Sequence, residues 1–351
     1  MLSARNGSRF FSDAVIVLMQ EAKASKSFFF VRRANWCLPT TLYRCAMKSL
    51  LIALLALFMM AAQAQTATSD ELLNAAQAAY EKKNYVEAYQ IFLPLAESEN
   101  ATAQYKLAGM LQDGLGVAKN GVEAAQWYRK AAEQGNALAQ LNLGSMLDWG
   151  RVVAKNEVEA VQWYRKAAEQ GSTTAQSMMG EMLQKGRGVA KNEVDAVQWY
   201  LKAAEQGDAH GQFSMGMMTK NGRGIPKYEV EAVHWFRKSA EQGNPIAQWE
   251  IGNIYKDGRG GRQDYVESAK WYRLAANQGF VFAQNDLGDM HKDGRGVSQD
   301  YVEAAKWYRL AANQGLPFAR HSLGAMYRDG LGVKQDVVEA QKWFDLARVR
   351  Q

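Results

Sequence analysis

A tryptophan returns every 36 residues along most of this chain, at Trp127, Trp163, Trp199, Trp235, Trp271, Trp307 and Trp343. Each sits in a closely similar block, such as VEAAQWYRKAAEQG at 122–135 or VEAAKWYRLAANQG at 302–315. A fixed period of this length, without an insertion between tryptophans, confines the chain to a repeat architecture. Each unit is too small to bury its own apolar face and does so against its neighbours.

Inside one period two helical segments alternate with two loops. In 281–316, Ala283, Leu287, Met290 and His291 fall at i, i+4, i+7 and i+8, one face of a helix. Gly288 beside them lets a neighbouring element approach closely. The second segment sets Ala304, Trp307, Tyr308, Ala311 and Ala312 on an apolar face, with Glu303, Lys306 and Arg309 outside. Asp293-Gly294-Arg295-Gly296 ends the first helix, glycine supplying the left-handed C-terminal position. Asp300-x-x-Glu303 fits a capping box that starts the second, and Asn156-x-x-Glu159, Asp264-x-x-Glu267 and Asp336-x-x-Glu339 repeat it. Gly135, Gly171, Gly207, Gly243, Gly279 and Gly315 close the second helix. Nothing alternates with the period of a strand, so the expected fold is an all-α solenoid of 36-residue helix-turn-helix repeats.

The A-x-x-x-L-G-x-M/Y start, the D-G-x-G-V loop and the A-x-x-W-Y-x-x-A-A-x-Q-G finish resemble the Sel-one-like repeat family, a branch of the tetratricopeptide-type α/α solenoids. The resemblance spans 101–351 as seven repeats. It implies antiparallel helix pairs coiling into a right-handed superhelix used to hold proteins or peptides together. Three departures stand out: Val152 replaces the second loop glycine, Tyr228 replaces the polar cap, and the last unit ends ARVRQ. Residues 65–100 read as a degenerate capping repeat, with Ile91 where the next unit has Trp127. At the other end, Arg348 and Arg350 are expected to cap the last helix.

Ahead of the repeats stands MKSLLIALLALFMMAAQAQ, residues 47–65. Its apolar run from Leu50 to Ala62 is shorter than the roughly 20 residues a membrane-crossing helix needs. Together with Lys48 and the Ala62-Gln63-Ala64 exit, it reads as a signal peptide over 47–64, with Gln65 as the mature N-terminus. An apolar core helix and an uncleaved anchor are the competing readings. Residues 1–46 then form a doubtful extension, either a gene-start error or a disordered leader. The signal peptide directs the protein to a bacterial periplasm or outside the cell.

The leader also distorts the composition. Residues 1–64 hold eight of the 42 basic and two of the 36 acidic residues, leaving 34 of each in the remainder. A formally neutral chain without a basic patch argues against nucleic acid as a partner. Both cysteines, Cys37 and Cys45, lie in the leader, so the mature part can form neither disulfides nor thiolate metal sites.

Because the repeats align without gaps, they can be compared with one another. The tryptophans, alanines and glycines hardly vary and read as core, with a tryptophan carbohydrate platform as the less favoured alternative. One position in the first helix varies freely: Tyr105, Leu141, Ser177, Phe213, Trp249, Asn285, His321. Four residues on it reads Gly109, Ser145, Glu181, Met217, Asn253, Asp289, Ala325. Such pairs share a helix face, and in tetratricopeptide-like folds the first helix lines the concave surface. The expectation is a groove for a protein or peptide, apolar around Phe213, Met217 and Trp249, with Asn253, and polar toward Asn285 and Asp289. The competing reading has these residues filling gaps between units.

No chemistry is called for. His210, His234, His291 and His321 show no metal spacing, so neither metal nor cofactor is expected. The D-G-R-G loops follow helices, whereas phosphate-binding loops follow strands. No catalytic residue is nominated. An envelope hydrolase is the alternative, because some cysteine-rich relatives in the resembled family are linked to β-lactam binding or hydrolysis. Their paired-cysteine pattern is absent here.

Overall fold

The computed structural model describes residues 68–259 and 261–348. The signal-peptide and extension readings therefore lie outside the described residues, as does Arg350. Among the described residues there are sixteen α-helices and no strand. Contacts divide the chain into two units, up to Asn120 and from Gly121 onward.

The first unit holds α1 (Ser69–Glu81), α2 (Tyr85–Glu97) and α3 (Ala101–Asp113). Thr68 opens α1 with a full capping box: its side chain accepts from the Glu71 amide, and Glu71 accepts from the Thr68 amide. Phe92 is fully buried on α2, one place after Ile91.

In the second unit, α4 (Gly121–Glu133) is followed by pairs α5 (Ala137–Trp149) with α6 (Glu157–Glu169), α7 (Thr173–Lys185) with α8 (Glu193–Glu205), and α9 (Ala209–Asn221) with α10 (Glu229–Glu241). The series ends with α11 (Pro245–Asp257) and α12 (Tyr265–Asn277), α13 (Val281–Asp293) and α14 (Tyr301–Asn313), and α15 (Pro317–Asp329) and α16 (Val337–Arg348). The first member of each pair is the A helix of its repeat and the second the B helix; α4 is also a B helix. From α4 to α15, each helix packs on the one that follows it.

The A helices stop where expected, with Gly150, Gly186, Gly222, Gly258, Gly294 and Gly330 at φ between +62° and +70°. The B-helix starts differ from the expected capping box. Asp300 accepts from the Val302 and Glu303 amides, but the Glu303 side chain does not return to the Asp300 amide. That amide already donates to the His291 carbonyl of the preceding A helix, and the Asn156, Asp264 and Asp336 amides do the same to their own. Released from capping, Glu303 pairs with Lys306, and Glu159 receives the Trp163 indole N–H at 3.2 Å. Tyr228 caps nothing and is exposed.

The centre of each unit also differs from expectation. The fully buried aromatic is the residue after the tryptophan: Tyr164, Tyr200, Phe236, Tyr272 and Tyr308 are all at most 1% exposed. Each ring sits against a glycine of its own A helix. A Cβ on Gly288 would stand 2.8 Å from Tyr308 Cδ1, and one on Gly252 would stand 2.5 Å from the same atom of Tyr272. Of the tryptophans, Trp163 and Trp235 are buried, whereas Trp127, Trp199, Trp271, Trp307 and Trp343 are half-buried. Their place is between units. Trp271, Trp307 and Trp343 each pack on a core shared by the preceding B helix and the A helix of their own repeat. An indole is wide enough to bridge two units while its edge stays in contact with water.

A glutamine ladder binds the repeats together. Buried Gln284 donates to the Ala276 carbonyl at 3.2 Å, and its own oxygen accepts from Gln314 at 2.8 Å. Gln140 with Gln170, Gln176 with Gln206, Gln212 with Gln242, and Gln248 with Gln278 repeat the arrangement. In the last repeat Arg320 takes the glutamine's place, reaching the Ala312 carbonyl and, at 2.7 Å, the Leu346 carbonyl.

The odd loop residue Val152 has a structural counterpart. In regular repeats the second loop glycine presses on the start of the preceding B helix; a Cβ on Gly188 would stand 2.1 Å from the Glu157 carbonyl oxygen. Where the loop carries Val152, that B helix begins with glycine instead, and a Cβ on Gly121 would meet Val152 Cγ1 at 2.8 Å. The bulk has moved from one side of the contact to the other.

Candidate partner-binding face

The variable positions of the A helices differ in how far they are covered. Tyr105 and Leu141 are half-buried. Phe213 and Met217 pack against the core formed by α10 and α11, with the Phe213 and Phe236 rings 5.8 Å apart. Asn253 is buried and accepts the Tyr272 hydroxyl at 2.7 Å. Asp289 accepts the Tyr308 hydroxyl and takes a 3.3 Å contact from the Asn285 amide. Asn253 and Asp289 thus hold the hydroxyls of core tyrosines, which is the gap-filling role. Their carbonyl and carboxylate oxygens give the only polar end of each buried ring a partner. His321 is exposed, its ring 5.2 Å from Phe344.

Around Trp249 the stripe does gather into a surface feature. The Trp249 ring lies 5.8 Å from Phe280 and 5.7 Å from Phe282, and those two are 5.6 Å apart. The Trp249 indole N–H donates to Asp286 at 2.6 Å. Burial raises the Asp286 carboxyl above its ordinary range although that hydrogen bond opposes the shift. Phe280 stands at the N-cap of α13, where Asn244 caps α11 by side-chain hydrogen bonds; packing with Trp249 has replaced the cap.

The accessible members of this face sit one turn nearer the helix start than the sequence reading placed them. Leu138, Ile246, Phe282 and Phe318 occupy the second position of their A helices and are 53%, 40%, 46% and 75% exposed. That position lies three residues before the Trp249 position, on the same face. The signal was in the repeat comparison, where the same column reads Thr102, Leu138, Thr174, His210, Ile246, Phe282, Phe318. At the end of the second unit, Pro317, Phe318, His321, Arg328 and Phe344 line an open cleft of about 510 Å³.

Carboxylates near this face are already engaged. Glu250 is buried and takes Lys220 on both oxygens, at 3.0 and 2.8 Å. Asp148 is held by the Arg187 fork at 2.9 and 3.3 Å, yet burial keeps its carboxyl above the ordinary range. Among the described residues no group of three or more His, Cys, Asp or Glu could hold a metal ion. The face offers aromatic and aliphatic surface with hydrogen-bonding edges, suited to recognition of another chain.

Comparison with known proteins agrees with the repeat count. The Sel1 repeat model matches 101–136, 137–172, 173–208, 209–244, 245–280, 281–316 and 317–348. Among solved structures, the chain is similar to c5321, a protective antigen of uropathogenic Escherichia coli strains displaying an SLR fold, at 35% identity and a TM-score of 0.70. That match covers 74% of this chain and 56% of c5321, so this chain spans little more than half of that protein. A Sel1 repeat protein from Oxalobacter formigenes is 34% identical with a TM-score of 0.64, the match covering 69% of this chain and 99% of that one. No curated protein matches. With seven matched repeats, the 36-residue period and the helix pairs in agreement, the chain belongs to the Sel1 repeat family.

Proposed function

We propose that this protein is an exported, non-catalytic scaffold that holds a protein or peptide partner along the A-helix face of its second unit. The observation that carries this reading is the aromatic group of Trp249, Phe280 and Phe282, partly open to solvent at α11 and the start of α13. Sel1 repeat solenoids in general serve as protein-interaction scaffolds, which supports the class of function. A partner fits by placing apolar side chains against Phe282 and Ile246, burial of each being worth about 1.5–3 kcal/mol.

The test is affinity capture from envelope extracts with the mature chain, followed by pull-down with Phe282→Ser. Phe282 is exposed, so the variant keeps its fold, and captured partners should be lost at least tenfold. Undiminished capture by the folded variant refutes the site. Asn253 is unsuitable for this test, because its replacement strips the Tyr272 hydroxyl of its acceptor. Export is tested separately: mass spectrometry of protein from its native host should return Gln65 as the N-terminus, and a retained Met1 refutes it.

A further inference from the structure

The exposed face of the B helices changes character midway along the second unit. In the earlier repeats, Lys130, Lys166, Lys202 and Lys238 place their ammonium groups 4.0–4.9 Å over Trp127, Trp163, Trp199 and Trp235. In the last three repeats the same position is Leu274, Leu310 and Leu346, which are 48%, 48% and 37% exposed. The glutamates at 133, 169, 205 and 241 give way to Asn277 and Asn313. Exposed Val266, Val302 and Val338 complete each stripe. Gln314 after α14 donates to the Gly279 carbonyl after α12 at 3.1 Å, and Trp343 of α16 packs on the core that contains Tyr308 of α14, so the three helices follow one another.

We infer that this face of α12, α14 and α16 docks on the same face of a second copy of the chain, forming a weak two-fold dimer. Three arguments single out a second copy. The first is pattern: three nearly identical stripes map onto themselves under a two-fold axis through the middle one. Leu310 then meets Leu310, while Leu274 meets Leu346. An isologous interface requires such self-complementarity.

The second is charge. The face carries Lys270 with Glu267, Lys306 with Glu303, and Lys342 with Glu339, one pair per helix. Each helix thus brings both signs to the face, with exposed Arg273, Arg309 and Asp345 beside the leucines, and such a mixture suits a copy of itself better than a partner of one sign. Replacing the lysine and glutamate of the earlier repeats with leucine and asparagine also removes the charges that are costly to dehydrate at an interface.

The third is area. Three helices roughly 20 Å long and about 10 Å apart present on the order of 600 Å². Two copies then bury about 1,200 Å², the lower end of specific interfaces, which implies a transient dimer.

The test is sedimentation equilibrium of the full chain over a concentration series, beside the double variant Leu274→Lys, Leu310→Lys. Lysine is the native residue at this position in the four earlier repeats, so the variant should match the wild type in helicity and melting temperature. The wild type should dimerise with a micromolar dissociation constant, and the variant at least tenfold more weakly. A wild type that stays monomeric to its solubility limit overturns the inference, as does a dimer undiminished by the substitutions. Should the double variant melt early, Leu310→Gln gives the same comparison on the two-fold axis.

Discussion

The Gly121–Val152 contact gives a sharp test of how one repeat tolerates an irregular residue. Adding a Cβ at Gly121 brings it to 2.8 Å from Val152 Cγ1 and 3.2 Å from Cγ2, but leaves 3.6 Å to Val152 Cβ. Overpacking of that kind costs about 1–3 kcal/mol. Against it stands the gain from replacing a helical glycine by alanine, about 0.5–1 kcal/mol. Gly121→Ala alone is therefore expected to destabilise by about 1 kcal/mol. In a Val152→Ala background both Cγ atoms are gone and the remaining contact is ordinary, so the same change should stabilise by about 0.5–1 kcal/mol.

The coupling in the double-mutant cycle is then about 1–3 kcal/mol, well above the roughly 0.5 kcal/mol scatter of independent sites. Thermal unfolding followed by helicity can read it, since 1 kcal/mol moves the midpoint by about 2–4 °C in a domain of this size. A coupling within the scatter would refute the idea that glycine opens α4 to make room for the loop valine.

Two further outcomes follow from the packing. Tyr308→Ala should cost about 3–5 kcal/mol and Trp307→Ala less, because Tyr308 is fully buried whereas Trp307 keeps one edge in solvent; equal or inverted losses in denaturant titrations would restore the tryptophan as the centre of the core. His291 lies buried with the Arg273 guanidinium 3.4 Å from its ring. Burial first, and Arg273 second, hold its pKa below the ordinary 6.5. The unfolded chain then binds a proton that the folded chain refuses, so stability should be constant above about pH 6.5 and fall as the pH drops below it. His291→Leu, with the residue found at the equivalent positions 111, 147 and 183, should flatten that dependence between pH 7 and 5; an unchanged slope would sink the assignment.

Much of the fold was legible because a 36-residue period makes each local signal appear several times. Ala283, Leu287, Met290 and His291 were read as one buried face and are at most 8% exposed. The A-helix glycine stops were equally plain, since a left-handed residue after a helix is a local requirement. The B-helix glutamates close no capping box, and a local pattern cannot show that a carbonyl of the preceding helix already occupies the N-cap amide. The tryptophan was overrated for a similar reason. Recurrence marks a residue the architecture needs, but does not say whether it fills a unit or bridges two.

The candidate site was the least legible part. Position 253 looked free in the repeat comparison, and only packing revealed the Tyr272 hydroxyl seeking an acceptor there. Phe282 lies in a second variable column of the A helices, and only its exposure brings it forward. The sequence by itself determined the helix pairs, their lengths and their stops, because these depend on contacts within a few residues. The tertiary structure decided which side chains remain open to a partner. That depends on what neighbouring repeats, about thirty-six residues away, have already covered.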